Sequence, residues 1–278
     1  MEAYSKRHVE NNELYNKYAN VIDNIQNALG REFPQLIQEH RLNMKQTADL
    51  EDFINDRATM FRFLRKNNYS LPTTLSLLLD NIKWRLHQDI DNILIPQVDH
   101  FLQDPLVFFH EFDKSDRPIL VVNLAYLPRA PEGCDITEFL TPLIVFVLET
   151  ARQLTWSLTK ERELDEDVDD PLILETAVIV NFKNADSLPM DMSLLKSFIT
   201  LLRRYPGLTG SVYFMNFGWM YQGLWQMCKL VLSDEAKSRV SFPSQRELAS
   251  IIAPEDLLAG KNRQRDTFSS FFFLKKKK

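Results

Sequence analysis

Short apolar runs alternate with amphipathic segments in the central part of the chain. The run 176–182 is rich in β-branched residues, 211–217 is a second apolar run, and 239–242 is a plausible third. Between the first two runs, residues 191–204 carry apolar side chains at helical spacing. Strands that alternate with helices predict parallel βαβ units, whose crossovers are almost always right-handed.

The segment 219–233 is predicted to be a helix with a narrow polar stripe. Its polar residues Gln222, Gln226, Lys229 and Ser233 recur at spacings of 4, 3 and 4, and most other positions are large and apolar. A helix that is apolar around most of its circumference needs apolar material on two sides. Either it is sandwiched between a sheet and its neighbours, or one face packs on protein and the other on a lipid or a membrane.

The first third of the chain shows helical periodicity without a strand signal. The pattern predicts one helix over residues 1–30, a charged link containing Pro34, and a second helix over 50–66. A third helix is predicted over 70–87, because its first residues, Ser-Leu-Pro, supply an N-cap and a proline in the first turn. These segments predict a small helical lobe.

Period-two alternation begins after this lobe. The runs 106–112 and 118–124 flank the segment 113–116, whose Asp and Ser residues predict a hairpin turn. The acidic run 161–170 is predicted to be a solvated loop or, alternatively, a partner site. The segment 244–252 begins with capping-box spacing and is predicted to be a helix.

Composition narrows the class of protein. The 278 residues are 45% hydrophobic with a net charge of −5, which suits a globular core and argues against a dedicated nucleic-acid binder. Cys134 and Cys228 lack metal-type spacing, and the N-terminus lacks an apolar signal segment. We therefore expect reduced thiols in a cytosolic protein. No apolar run reaches the roughly 18 to 20 residues that span a bilayer.

The motifs of common enzyme classes are missing from the sequence. It contains no nucleophile elbow, no P-loop, no dinucleotide-binding glycine motif and no zinc-protease motif. Its five histidines are scattered, and its acidic residues lack the spacing of a calcium loop. We therefore expect neither an enzyme nor a cofactor nor a metal site.

The tail, residues 266–278, joins several phenylalanines to four terminal lysines. Lys275 and Lys276 suit an anionic membrane surface, at roughly 1 kcal/mol per lysine close to it. Alternatively, the tail is a disordered terminus or the cut end of a longer chain. A terminal Lys-Lys-x-x also resembles an endoplasmic-reticulum retrieval signal.

Several strings occur in a recognisable order. They are Met60-Phe-Arg-Phe-Leu-Arg65, the pair Trp84-Arg85, Asp113-Lys-Ser-Asp-Arg-Pro118, and the series Tyr205-Pro206, Met215-Asn216 and Trp219. Together they resemble the CRAL-TRIO family, the lipid-binding domains of the yeast phosphatidylinositol/phosphatidylcholine transfer protein type, over about residues 45–260. Leu188-Pro-Met-Asp-Met192 also resembles the branch joined to a major-sperm-protein domain and a membrane anchor.

This resemblance implies an α/β fold, with an N-terminal helical lobe followed by a mixed, mainly parallel β-sheet flanked by helices that enclose an apolar pocket. The expected bounds are 1–98 for the lobe, 99–265 for the lipid-binding domain and 266–278 for the tail. A mobile gate helix corresponds to about residues 219–232. Residues expected in the cavity or gate, with ordinary core packing as the alternative, are Val178, Val180, Phe198, Phe214, Leu224, Trp225, Cys228, Leu232 and Arg239. Those expected to contact the membrane are Trp219, Tyr221, Lys275 and Lys276.

The chain departs from the family at the head-group positions. Where phosphatidylinositol-binding members use an arginine, a glutamate and a lysine, the aligned residues are Asn67, Gly207 and Arg239. The phosphatidylcholine-contacting serine and threonine fall on Ala177 and Ile179. A polar head group buried without partners costs several kcal/mol. We therefore expect a sterol, an isoprenoid or a retinoid-like ligand, or a phospholipid that is held differently.

Two functions follow as hypotheses. The first is a monomeric, cytoplasmic lipid-binding and transfer protein that associates peripherally with membranes, among them the endoplasmic reticulum. The second is a non-transferring adaptor or regulator that uses the same fold to dock on membranes or on a partner.

Overall fold

The computed structural model describes residues 2–90, 95–185 and 191–252. The chain forms two compact units. The first unit comprises Met1–Gln97, Val145–Leu174 and Arg203–Leu208, and the second comprises Val98–Ile144, Glu175–Leu202 and Thr209–Lys278. The first unit includes two segments from later in the chain, so the two units do not correspond to the expected domains. The bounds of those domains stay a prediction.

The N-terminal lobe is helical, as predicted, but its helix boundaries differ from the expected ones. The helices are α1 (Glu2–Lys17), α2 (Ala19–His40), α3 (Met44–Asn55), α4 (Arg57–Lys66) and α5 (Leu71–His87). The expected link at Pro34 is wrong, since Pro34 lies inside α2. A proline ring crowds the carbonyl four residues earlier. Here that residue is Gly30, an exposed glycine with open space beside it.

The expected helix over 50–66 is also wrong, because the chain breaks at Asp56. The Asp56 carboxylate accepts hydrogen bonds from the backbone N–H and the hydroxyl of Thr59, at 2.8 and 2.7 Å. A side chain that satisfies the first N–H groups of a helix begins a new helix. Asp56 therefore ends α3 and caps α4.

A buried ion network lies in the interior of the first unit. Glu149 accepts from Arg85 at 2.9 Å and from Arg152 at 2.6 Å, and Arg152 also binds Asp56 at 2.6 Å. Burial alone would raise the pKa of Glu149, but the two guanidinium groups hold that pKa well below its ordinary range. The hydroxyl of Tyr205 donates to the same carboxylate at 3.2 Å.

A five-stranded sheet lies in the second unit, after α6 (Ile95–Leu102). Its strands are β1 (Val107–Phe112), β2 (Pro118–Asn123), β3 (Thr176–Asn181), β4 (Thr209–Met215) and β5 (Val240–Ser241), and they neighbour one another in chain order. The pair β1–β2 is antiparallel and the others are parallel, so the predicted mixed, mainly parallel sheet is confirmed.

The predicted hairpin joins β1 to β2. The Asp113 carboxylate accepts from the backbone N–H groups of Ser115 and Arg117, both at 3.0 Å. Asp116 has a φ of +57°, the left-handed conformation that glycine adopts most easily. Aspartate is among the few other residues that adopt it readily.

The remaining helices lie between or after the strands along the chain. They are α7 (Ile136–Glu163), α8 (Met192–Arg203), α9 (Gln222–Val231), α10 (Asp234–Ser238) and α11 (Gln245–Ile251). A single 3₁₀ turn, Trp219–Tyr221, precedes α9, and the chain leaves the helix before Ser233, which caps α10 instead. The capping box predicted for α11 is present at Ser244 and Glu247.

The strand order determines where the connecting helices lie. Successive parallel strands advance across the sheet in one direction, from β2 to β5. Right-handed crossovers that all advance in one direction place their helices on the same face. We therefore expect α8 on the face that α9 contacts.

Candidate functional site

The strands β3 and β4 present two apolar faces, because successive side chains on a strand alternate. One face carries Ala177 and Ile179 of β3 with Tyr213 and Met215 of β4, and it packs against α11 through Leu248. These four strand residues are between 1% and 8% exposed. We call this the covered face.

The opposite face, which we call the open face, is less enclosed. Val178 pairs with Val212 and Val180 pairs with Phe214 across the parallel strands. Val178 is 9% exposed, and the other three are only partly buried. Val180 and Phe214 pack against the buried cluster of Phe182, Ala185 and Tyr221, and Leu224 at the beginning of α9 packs against the same cluster.

An aromatic cluster covers the end of the open face where β3 and β4 finish. Ring centroids lie 4.9 Å apart for Phe182 and Tyr221, 6.0 Å for Phe214 and Trp225, and 5.4 Å for Trp225 and Phe242. The six rings are those of Phe182, Phe214, Phe217, Tyr221, Trp225 and Phe242. Offset and edge-on ring pairs at such distances add a modest attraction beyond burial.

The outer side of segment 219–232 exposes large apolar side chains. Trp219 is 88% exposed, Met220 is 56% exposed and Leu230 is 79% exposed, beside the exposed amides of Gln222 and Gln226. No helix within the described ranges is both long and apolar enough to cross a bilayer. The segment therefore has apolar groups toward the sheet and toward solvent.

Helix α8 is amphipathic but is not packed into a core. Its residues, all of which the structure describes, include no buried side chain. Leu195, Ile199 and Leu202 are half-buried, and Phe198 is 37% exposed. Helix α8 therefore keeps a partly exposed apolar face.

Charged groups of the second unit lie near the beginning of β3 and β4. Arg239 donates to the carbonyl of Thr209 at 2.6 Å and to Glu235 at 2.9 Å, and it lies 3.6 Å from Glu175. A Cβ on Gly210 would stand 2.7 Å from the Glu175 carboxylate, so that position requires glycine. The guanidinium group of Arg239 is thus engaged in an internal network.

Asn67 and Gly207 are the other two positions that align with the head-group residues of phosphatidylinositol-binding members. Both lie in the first unit and have structural roles. The Asn67 amide donates to the carbonyl of Phe63 at 2.8 Å and closes the end of α4. Gly207 has a φ of +67°, and a Cβ there would stand 3.1 Å from the guanidinium of Arg65. Neither position offers a charge to a phosphate.

The structure brings some of the expected site residues together and not others. Val178, Val180, Phe214, Leu224 and Trp225 belong to the open face or its cover. Elsewhere, Cys228 is buried on α9, Leu232 is half-buried just after it, Phe198 lies on α8, and Arg239 belongs to the charged network. Lys275 and Lys276 lie outside the described residues.

Burial affects two residues of this set in particular. Burial raises the pKa of the Cys228 thiol, which keeps it protonated at neutral pH. Tyr221, which was expected to contact a membrane, is only 8% exposed. A membrane contact through Tyr221 would therefore require this segment to move.

Sequence reasoning missed Phe182, Phe217 and Phe242 as members of the aromatic cluster. A signal for Phe242 was present, since it lies two residues after Val240, which pairs with Val212 on the open face. A signal for Phe182 was also present, because it lies two residues after Val180 in the predicted run 176–182. Phe217 gave no such signal, because it follows the end of β4 and alternation along the run 211–217 would place it opposite Phe214.

Comparison with known proteins identifies the family. A family model described as the CRAL/TRIO domain matches residues 102–260. The chain belongs to the CRAL/TRIO family. Lipid binding or transfer is therefore supported at the level of this family, whose members are lipid binders and transporters rather than enzymes.

Individual relatives agree with this assignment. Two CRAL-TRIO domain-containing proteins of Schizosaccharomyces pombe are each 24% identical, over 224 and 203 residues. These matches cover 75% and 70% of this chain but 46% and 54% of the relatives, so the chain spans about half their length. The crystal structure of Sfh5 aligns over 80% of each chain with a TM-score of 0.54 at 13% identity, which shows a shared fold. The suggested link to the major-sperm-protein branch stays a prediction.

Proposed function

We propose that this protein binds a hydrophobic lipid on the open face of its sheet and that segment 219–232, the gate segment, opens to admit it from a membrane. The difference in burial between the two faces supports this most directly. Val180 and Phe214 are partly exposed, while Ile179 and Tyr213 on the same strands are buried. Each CH₂ group of a lipid buried there would contribute about 0.8 kcal/mol.

The lining of the open face favours a ligand without a charged head group. Its residues are valines and aromatic side chains, and Arg239 is already bonded within the protein. A phosphate without partners would lose its hydration with little in return. A sterol, an isoprenoid or a retinoid-like molecule fits this lining best, and a phospholipid would have to be held in a different way from that of the familiar members.

The outer side of the gate segment supports the proposed membrane contact. Trp219, Met220 and Leu230 form an exposed apolar surface, and tryptophan favours the interface between membrane and water. We also propose that Lys275 and Lys276 of the tail strengthen contact with an anionic membrane surface. We propose that the protein is cytoplasmic and binds membranes peripherally, with the endoplasmic reticulum as one such membrane.

Native mass spectrometry with lipid extraction tests this function. The protein would be purified from a eukaryotic host and incubated with liposomes of mixed phospholipids, sterol and isoprenoid. We expect one lipid per chain, and its mass would identify the ligand class. A protein that stays empty under these conditions would contradict the proposal.

The aromatic cluster favours a second candidate function, a membrane-docking adaptor that transfers nothing. Its rings pack on one another and so fill part of the open face with the protein's own side chains. Vesicle flotation separates the two functions. An adaptor would bind vesicles and extract no lipid, whereas a carrier would leave the vesicles with a lipid bound.

A further inference from the structure

Tyr221 joins the gate segment to the sheet by hydrogen bonds. Its hydroxyl oxygen lies 3.1 Å from the carbonyl oxygen of Phe182 and 3.2 Å from that of Ala185, both just beyond the end of β3. Its ring packs on Phe182 with centroids 4.9 Å apart. The hydroxyl has a single proton, so it donates to one carbonyl or is shared between the two.

The polar contacts of the gate segment are otherwise few. Within the part of the chain that the structure describes, these are the only side-chain hydrogen bonds that join residues 219–232 to other residues. Tyr221 and Trp225 also contact Phe182 and Phe214 through their rings, and Leu224 packs on the cluster that includes Phe182. Gln222 and Gln226 face solvent. Directional bonding between this segment and the sheet therefore depends on one hydroxyl group.

The chain that follows the gate segment is anchored differently. After α10, Arg239 donates to Thr209 and to Glu235 and lies close to Glu175. Hydrogen bonds with a charged partner are roughly twice as strong as neutral ones. The hydrogen bonds at the tyrosine end are thus weaker than those around Arg239, which favours opening from the tyrosine end.

We propose that the Tyr221 hydroxyl is the latch of the gate: it holds the segment closed over the open face, and its release turns the tyrosine ring outward beside Trp219. This deepens the proposed function and rests on it. The latch also reconciles the burial of Tyr221 with a membrane role, because the ring becomes available only in the open state. A tyrosine ring with a free hydroxyl suits a membrane interface.

The variant Tyr221→Phe tests the latch, since it removes the hydroxyl and keeps the ring. The matched control is Tyr205→Phe, which removes an equally buried hydroxyl that bonds Glu149 in the first unit. Two measurements are made on the full chain. One is deuterium uptake of peptides covering residues 219–232, and the other is transfer of a fluorescent sterol between phosphatidylcholine vesicles.

We expect Tyr221→Phe to speed deuterium uptake in the gate segment and sterol transfer by about three- to tenfold, the factor that corresponds to one neutral hydrogen bond. Uptake in β3 and β4 should not change. Tyr205→Phe should lower the melting temperature without changing either rate. A purely structural role for the Tyr221 hydroxyl would make the two variants behave alike.

The latch and the proposed transfer function are contradicted by different results. If Tyr221→Phe leaves uptake in the gate segment at the wild-type rate, the latch is wrong, whether or not the protein transfers lipid. If uptake rises but neither protein moves sterol or co-purifies with a lipid, the segment is latched but the proposed transfer function is wrong.

Discussion

The two faces of strands β3 and β4 differ in what covers them rather than in what they are made of. Both faces are apolar, as is usual for strands in the interior of a parallel sheet. The covered face packs against α11, which is fixed by its capping box and by Lys114, whose backbone N–H donates to Ile251 at 3.0 Å and whose Nζ donates to Ala249 at 3.1 Å. The open face lies under a segment that packs on it through apolar and aromatic side chains and, within the described residues, makes side-chain hydrogen bonds to the rest of the chain through one hydroxyl only. In the function that we propose, a binding face is made from ordinary core residues whose cover is able to leave.

The largest expected difference between the two faces comes from placing a charge on the helix that covers each face. Leu248→Asp buries a carboxylate in the covered face, and we expect it to cost more than about 4 kcal/mol and to prevent folding. Leu224→Asp places the same charge in the partly exposed gate segment. We expect this variant to fold, with a loss below about 2 kcal/mol, and to take up no lipid. Circular dichroism and sterol transfer check both results.

Either of two results would remove the distinction between the covers. An unfolded Leu224→Asp protein would make Leu224 part of an ordinary core. A folded Leu224→Asp protein that transfers sterol normally would take it out of the gate.

Smaller truncations sharpen the comparison at neighbouring positions of one strand. Ile179→Ala should destabilise the protein by about 2–5 kcal/mol, because it leaves a cavity in the covered face. Val180→Ala should cost about 1 kcal/mol, since its side chain is only half-buried, yet it should change the affinity for lipid. Urea denaturation with and without bound lipid measures both. Equal losses for the two variants would mean that the open face is packed like the covered one.

The smallest expected effect separates exposed leucines by location. Leu230 on the gate segment and Leu164 after α7 are 79% and 86% exposed. Neither truncation to alanine should change stability by more than about 0.5 kcal/mol. Leu230→Ala should weaken vesicle binding by about 1 kcal/mol, and Leu164→Ala should leave it unchanged. Flotation with phosphatidylcholine vesicles would show whether the two differ; equal binding would remove Leu230 from the membrane surface.

Local signals predicted much of this fold. The hairpin at 113–116, the helix over 70–87 and the capping box at Ser244 are each encoded by a few adjacent residues, and the structure has all three. The break at Asp56 was missed because the apolar helical pattern continues through it. A helix that continues through Pro34 was not predicted, because the open space beside Gly30 exists only in the folded helix.

The candidate site was harder to predict than the fold. The alternation within β3 and β4 separates two apolar sets but does not say which set a fixed helix will cover. That depends on α11 and on the bonds of Lys114, which come from distant parts of the chain. The burial of Tyr221 was likewise invisible, because its partners are backbone carbonyls about 40 residues earlier in the chain, at Phe182 and Ala185.

Gly207 occupies a backbone position that resists the glutamate that phosphatidylinositol-binding members are expected to have there. Its φ of +67° lies in a conformation that costs a residue with a side chain roughly 1–2 kcal/mol. A glutamate there would also displace Arg65, whose guanidinium donates to Asn11 at 2.6 Å and lies 3.1 Å from the place a Cβ would occupy. A Gly207→Glu variant would therefore lose stability before it gained any use for the charge. If the ligand is uncharged, as we propose, variants of this chain should change from one uncharged ligand to another more easily than they acquire a charged one.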